Sequence, residues 1–310
     1  MNKQTGFTII ELMIAIGLGL LIVAAAFLML FTGQKNVALQ KSSASLQDDQ
    51  NFGLAYMAKN IRQANLFSPS ATLNASSSYA GIIFSASNLD SKVTVPTDFS
   101  SKYSTTVQPS GTGITASNMR IKTGTTFSDA TNDQLTIQYR PPENGYDCEG
   151  NNVTSSQYVV ERYFVRTDTN GAGSVAERSA LACAASRYNV DLATATNLDT
   201  TSGGIYSNGQ IIMKRVDLFN VRFLTQSSVG QRYMTVQQYN ALTGTKPRIL
   251  AVQLAIIARA EDPTTEQSVS TSQEFSIFGQ TFTQKTSISN RYIRTPIVQT
   301  VALRNALGVR

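Results

Sequence analysis

The sequence predicts an α+β protein in which one long N-terminal helix packs on a β-rich C-terminal domain. Three observations predict it. Leu12 to Phe31 is a run of 20 residues without charge or proline. An apolar stripe at helical spacing follows it, and from residue 133 onward short apolar runs alternate with polar residues. Strands that follow a single long helix favour a sheet packed against that helix.

At about 1.5 Å per residue the first run spans roughly 30 Å, the hydrocarbon thickness of a bilayer. It is longer than the ~7–15-residue apolar core of a secretory signal. No small-residue cleavage site follows it, and Thr32-Gly33-Gln34-Lys35-Asn36 marks a polar exit. A retained membrane helix at about 7–31 is the reading. Leu39, Leu46, Leu54, Met57 and Ile61 then recur at spacings of 7, 8, 3 and 4, one face of a continuing helix. Ser68-Pro69 stops it, which gives a helix over 7–66 with Gly33 and Gly53 as soft points.

Residues 68–132 are rich in Ser, Thr, Asn and Gly and read as loops with short edge strands. Beyond them Leu135, Ile137 and Tyr139 alternate with polar residues, and Tyr158 to Val165 is apolar with Glu161 and Arg162 interleaved. Phe219, Val221 and Phe223 alternate in the same way. Ile249 to Ala258 is too short to span a membrane and reads as a buried strand or a short core helix. Ile297 to Leu303 supplies a last strand.

Composition excludes much. The 310 residues are 42% hydrophobic and 15% charged, enough apolar content for a core. There is no histidine, which removes Ser-His-Asp and Cys-His catalysis and imidazole-ligated metals. Two cysteines cannot make a four-thiolate site. The net charge of +6 is scattered, with no basic block or groove for nucleic acid. Asp48 and Asp49 are adjacent on a helix and point apart, and the 143–152 loop lacks EF-hand spacing. No catalytic residue, cofactor or metal set emerges, so the protein is not read as an enzyme. One oddity remains: Glu11 is a lone carboxylate at the head of the apolar stretch, where an acid costs a few kcal/mol and marks function by default.

Gly6-Phe7-Thr8-Ile9-Ile10-Glu11-Leu12, after a short leader containing Lys3, resembles the class III leader of type IV pilins and pseudopilins. The resemblance implies cleavage after Gly6 by a prepilin peptidase, N-methylation of Phe7, and a role for Glu11 in subunit register, paired with a neighbour's terminal amine. Gly17 and Gly19 allow close helix approach. Leu28 stands near where many major pilins carry a proline, a departure that favours a minor subunit. Asn60-Ile61-Arg62-Gln63-Ala64, Asp133 to Tyr139 leading into Tyr146-Asp147-Cys148-Glu149-Gly150, Leu181-Ala182-Cys183, and the tail Thr300 to Asn305 resemble the PilW family of minor pilins and the related J-type pseudopilins.

This resemblance implies leader, helix and periplasmic domain over 1–6, 7–66 and 67–310. It implies a single-pass inner-membrane subunit that helps initiate type IV pilus assembly and sits at the fibre tip, supporting twitching motility, attachment or DNA uptake. Its partners would be other minor pilins, the major pilin, the prepilin peptidase, the inner-membrane assembly platform and membrane lipid. A minor pseudopilin of type II secretion, or a tip adhesin or DNA-binding subunit, are the alternatives. In a periplasmic domain Cys148 and Cys183 should pair, and closing a loop of about 35 residues stabilises by roughly 3–4 kcal/mol.

Overall fold

The computed structural model describes residues 6, 8–94, 107–108, 116–121, 132–171, 178–198, 204–205, 207–264, 269–284 and 291–306. Helix α1 (Ile9–Gln63) is followed by β1 (Val93–Thr94), β2 (Val107–Gln108), β3 (Ala116–Ile121), β4 (Asn132–Tyr139), β5 (Gly145–Tyr146), β6 (Asn152–Val153), β7 (Gln157–Thr167) and β8 (Ser179–Asn189). Then come β9 (Thr196–Asn197), β10 (Gln210–Lys214), β11 (Val216–Ser227), β12 (Gly230–Thr235) and the short helix α2 (Val236–Asn240). β13 (Arg248–Arg259), β14 (Glu274–Ile277), β15 (Gln280–Thr283) and β16 (Arg294–Ala302) complete the chain.

The chain divides into two units, Met1–Ser45 and Leu46–Arg310. In the first, the side chains of 9–31 are exposed throughout, large apolar ones included. A surface of this kind is stable in lipid and not in water.

In the second unit the last turns of α1 are half of a core. Leu46, Leu54, Met57 and Ile61, four of the stripe positions read from the sequence, are buried together with Ala58. Burying each large side chain contributes about 1.5–3 kcal/mol. The cover comes from two antiparallel sheets. One runs β10-β8-β7-β4-β3-β2 and the other β12-β11-β13-β16. Leu135, Ile137 and Tyr163 of the first and Phe219, Phe223, Val252, Leu254 and Val301 of the second join the helix residues in one apolar cluster. The Ile249–Ala258 run is a strand, held between β11 and β16.

β11 outruns its neighbour. β12 pairs only with Arg222 to Ser227, which leaves the first half of β11 open on that side. Side chains of β4 close the gap: Asn132 Oδ1 accepts from Phe219 N at 2.8 Å, and Asp133 Oδ2 accepts from Val221 N at 2.7 Å. The segment read as a strand from its apolar residues thus also joins the two sheets through its polar start.

The helix differs from expectation at its end. It stops at Gln63, three residues short of 66, and runs unbroken through Gly33 and Gly53. Gly53 is a close approach instead, since a Cβ there would meet the side-chain tip of Met213 at 2.4 Å. The stop is made by Asn65, whose φ is 66°. Asparagine tolerates this left-handed conformation at a helix C-terminus. The Asn65 N–H donates to Gln138 O of β4 at 3.0 Å, and its Nδ2 donates to Ser70 O and Asn305 O. Asn305 Nδ2 in turn donates to Arg62 O and Ala64 O, carbonyls the helix end would leave bare. Two asparagines 240 residues apart therefore lock the helix terminus to the tail of the chain.

Gly81 passes against this lock. Its N–H donates to Asn65 Oδ1 at 3.0 Å, and a Cβ on it would fall 2.2 Å from Asn65 N. Backbone cannot yield there, so Gly81→Ala should abolish cooperative folding or lower the melting temperature severely. Asn305→Ala, which strips two carbonyls of a donor, should cost about 1–3 kcal/mol. Thermal melts of the full chain in detergent test both, and an unchanged melt for Gly81→Ala would refute the packing of the lock.

Candidate functional site

Two carboxylates in opposite settings stand out: Glu11 in the first turn of α1, and Glu161 of β7, linked through Tyr163 to Asn60 near the other end of the helix. At the head of the helix Gly6 is exposed, a Cβ on it would meet nothing within 4 Å among the described residues, and Phe7 lies outside them. Thr8 caps the helix: Glu11 N donates to Thr8 Oγ1 at 3.3 Å. Glu11 Oε2 accepts from both Thr8 N and Thr8 Oγ1, each at 3.0 Å. This reciprocal capping box satisfies donors that the first turn leaves free and sets a negative charge at the positive end of the helix dipole. The Thr8-x-x-Glu11 spacing carries that signal in the sequence, although the resemblance to a leader overshadows it. Oε1 has no hydrogen bond among the described residues, so one oxygen of Glu11 is available to a cation.

At the other end Glu161 on β7 is fully buried. Its Oε1 accepts from Tyr139 OH at 3.1 Å and from Cys148 N at 3.0 Å, and its Oε2 accepts from Tyr163 OH at 2.6 Å. Tyr163 OH accepts in turn from Asn60 Nδ2 of α1 at 3.1 Å, and Tyr56 OH reaches Cys148 O at 3.4 Å. One node thus ties helix, β4, β7 and the Cys148 loop together. Burial, with a smaller push from nearby Asp147, lifts the Glu161 carboxyl to about 7 against the hydrogen bonds from Tyr163, Tyr139 and Cys148. Burial and the Glu161 charge push the Tyr139 and Tyr163 phenols up as well.

Cys148 and Cys183 form a disulfide with Cα atoms 6.1 Å apart. A Glu161 oxygen and the two sulfurs lie within 4.8 Å of one another. Paired sulfurs offer no thiolate to a metal, and the carboxylate already takes three donors. The flanking acids are also engaged. Asp147 pairs with Arg187 at 3.2 Å and accepts from Glu149 N and Asn151 N, while Glu149 Oε2 accepts from Ala185 N at 2.8 Å. They brace the disulfide loop. Asp49 pairs with Arg215 at 2.6 Å. Sequence reading missed Glu161, since an acid inside an apolar run gives no hint of its partners.

Residues 162–305 match the family of Type IV Pilus-assembly protein W, and residues 1–27 match the prokaryotic N-terminal methylation motif. A type IV-like pilin from Thermus thermophilus is similar in structure over 84% of this chain and 96% of its own, at 11% identity and a TM-score of 0.36. No curated protein sequence matches the chain.

The buried node yields a pH dependence. The folded Glu161 holds its proton to about 7, whereas the unfolded group releases it near 4.5. The folded state therefore binds more protons between these values, and its stability is full below about 4.5 and falls as pH rises through 7. The loss is on the order of 3 kcal/mol. Glu161→Gln should flatten this part of the stability–pH curve; equal slopes in the two proteins would reject a titrating node. Reducing the disulfide should cost roughly 3–4 kcal/mol, read as a lower melting temperature of the full chain in detergent.

Proposed function

We propose that this chain, a type IV minor pilin of the PilW type, helps initiate pilus assembly within a tip complex of minor pilins. The observation that carries the reading is the head of α1. A methylation motif, an exposed 23-residue apolar stretch from Ile9 to Phe31 and one acid with an unused oxygen occupy the same few turns. The match of residues 162–305 favours a pilus subunit over a secretion pseudopilin.

The mechanism follows from solvation. Cleavage after Gly6 would expose the amine of Phe7, which is then N-methylated. The apolar stretch would hold the subunit in the inner membrane with the second unit in the periplasm. Within an assembly the free oxygen of Glu11 would accept the terminal amine of a neighbour. A charge pair in a low-dielectric setting gains little net stability once formed but costs several kcal/mol when one partner is missing. Subunits staggered in the wrong register would leave Glu11 unpaired and be rejected. Selection of register, rather than bulk affinity, is the role this gives Glu11. The folded second unit would supply the surfaces that select partners. No step requires this chain to act as a catalyst.

Mass spectrometry of the membrane-extracted protein tests processing directly. A chain beginning at methylated Phe7 is the expected result, and one beginning at Met1 would overturn the reading. Gly6→Ala should leave the precursor uncut. Glu11→Ala should exclude the subunit from the assembled complex at least about tenfold, with an unchanged melt of the second unit. Normal incorporation of that variant would remove the register role.

A further inference from the structure

The two sheets have four edges, and three are guarded. Among the described residues β2 has two. β10 has five, breaks register between Ile211 and Met213, and ends in Lys214. β12 has six, carries Arg232 and runs straight into α2. Short length, a register break and charge are the means by which proteins keep an edge from recruiting another strand.

β16 has almost none of these. It is nine residues long and pairs with β13 without a register break from Arg294 to Ala302. Its one charged residue, Arg294, is buried and turned inward to Asp217 at 2.9 Å. Thr295 to Ala302 is uncharged. Hydrogen bonds from Leu303 N to Leu250 O and from Ala260 N to Ile293 O bracket the ladder and fix its parity. The odd residues between them therefore turn their backbone groups to β13, and the even residues turn theirs outward. Pro296 has no N–H to offer, so it shields only the start. The N–H groups of Val298, Thr300 and Ala302 face outward with no partner among the described residues. Pro296, Val298, Thr300 and Ala302 are also exposed.

We propose that β16 is a docking edge that takes up one antiparallel, uncharged β-strand from a different pilin-like subunit. The proposal rests on the assembly role above. Continuity with α1 argues for such an occupant. Gln50 Nε2 donates to Thr295 O at 2.8 Å near one end of β16, and Asn305 caps the helix terminus just past the other. The last turns of α1 thus run along β16, and a subunit aligned beside that helix reaches this edge. A second copy is a poor fit. Two copies joined antiparallel through the same edge point these helix segments in opposite directions, whereas subunits held in one membrane enter it from the same side. Main-chain bonding along the edge would give affinity, and alternate small and apolar side chains would give selectivity.

Amide hydrogen exchange tests the edge, on the full chain in detergent alone and in complex with the pilin-like subunits expressed with it. Alone, Val298, Thr300 and Ala302 should exchange fast while Ile297, Gln299 and Val301 are protected. In the complex the three even amides should slow at least about tenfold. Val298→Pro removes an outward N–H and no ladder bond, at an exposed side chain; it should keep the melt and lose at least about tenfold in complex formation. A complex that forms with the even amides still fast overturns strand addition and leaves the assembly role standing. Protection that grows with concentration of the chain alone makes the occupant a second copy and overturns the proposal. Failure to form any complex removes the assembly role, and strand addition with it.

Discussion

A single uninterrupted helix must satisfy two solvents. From Ile9 to Phe31 its side chains are exposed and apolar, and from Leu46 onward one face of the same helix is core. No proline or break separates the two regimes. The β-rich unit can therefore bury only the stripe that the helix turns toward it, and it must fix the terminus of a helix whose other end belongs to lipid. The Asn65–Asn305 lock answers the second demand. It spends side-chain donors on carbonyls that would otherwise need water, and it joins the first covered element to the last.

Polar side chains, not only apolar area, set how the two sheets meet. Asn132 and Asp133 satisfy the open side of β11 in place of a strand. Deeper in, Asp217 of β11 binds Arg259 of β13, Arg294 of β16 and Ser179 of β8. Arg294 also donates to the amide oxygens of Gln273 and Gln284. Such a cluster contributes little over well-packed apolar residues, but removing one member strands a buried charge at a cost of about 3–5 kcal/mol. Both devices act where strands of one sheet touch strands of the other, the place where apolar packing alone tolerates slippage.

The sequence made the large features plain because they follow from periodicity. The Leu46, Leu54, Met57 and Ile61 stripe is a helical repeat, and Phe219, Val221 and Phe223 are a strand repeat. Ile249 to Ala258 stayed ambiguous because a short apolar run fits either element; neighbours on both sides decide it. β8 was visible only as a cysteine segment, since Ala180 to Ala185 has low strand propensity and acquires its conformation from β7 and β10. Asn65 was hidden by the stronger Ser68-Pro69 stop signal. Of the stretch read as loops with short edge strands over 68–132, the part beyond Thr94 falls largely outside the described residues, apart from β2 and β3. Glu161 was illegible for a different reason: what distinguishes it are donors from Tyr163 two residues along β7, from Tyr139 of β4 and from the Cys148 loop, and the last two are brought to it only by the fold.

The two carboxylates, Glu11 of α1 and Glu161 of β7, show how leftover hydrogen-bonding capacity sets a role. Glu161 accepts three donors in a site closed to water, and its remaining freedom is a proton. It has no need of another molecule and responds only to pH. Glu11 takes both of its donors on one oxygen, from Thr8 of its own first turn. The capping box steadies the helix start but leaves half of the carboxylate unsatisfied. In water that half would be hydrated at no cost. At the head of an apolar helix hydration is scarce, and the shortfall of a few kcal/mol can be met by a cation. A cap that used both oxygens would have made the acid self-sufficient and silent. Because it uses one, the helix end is stable enough to form in a lone subunit and keeps an acceptor oxygen free, as the proposed pairing with a neighbour's terminal amine requires.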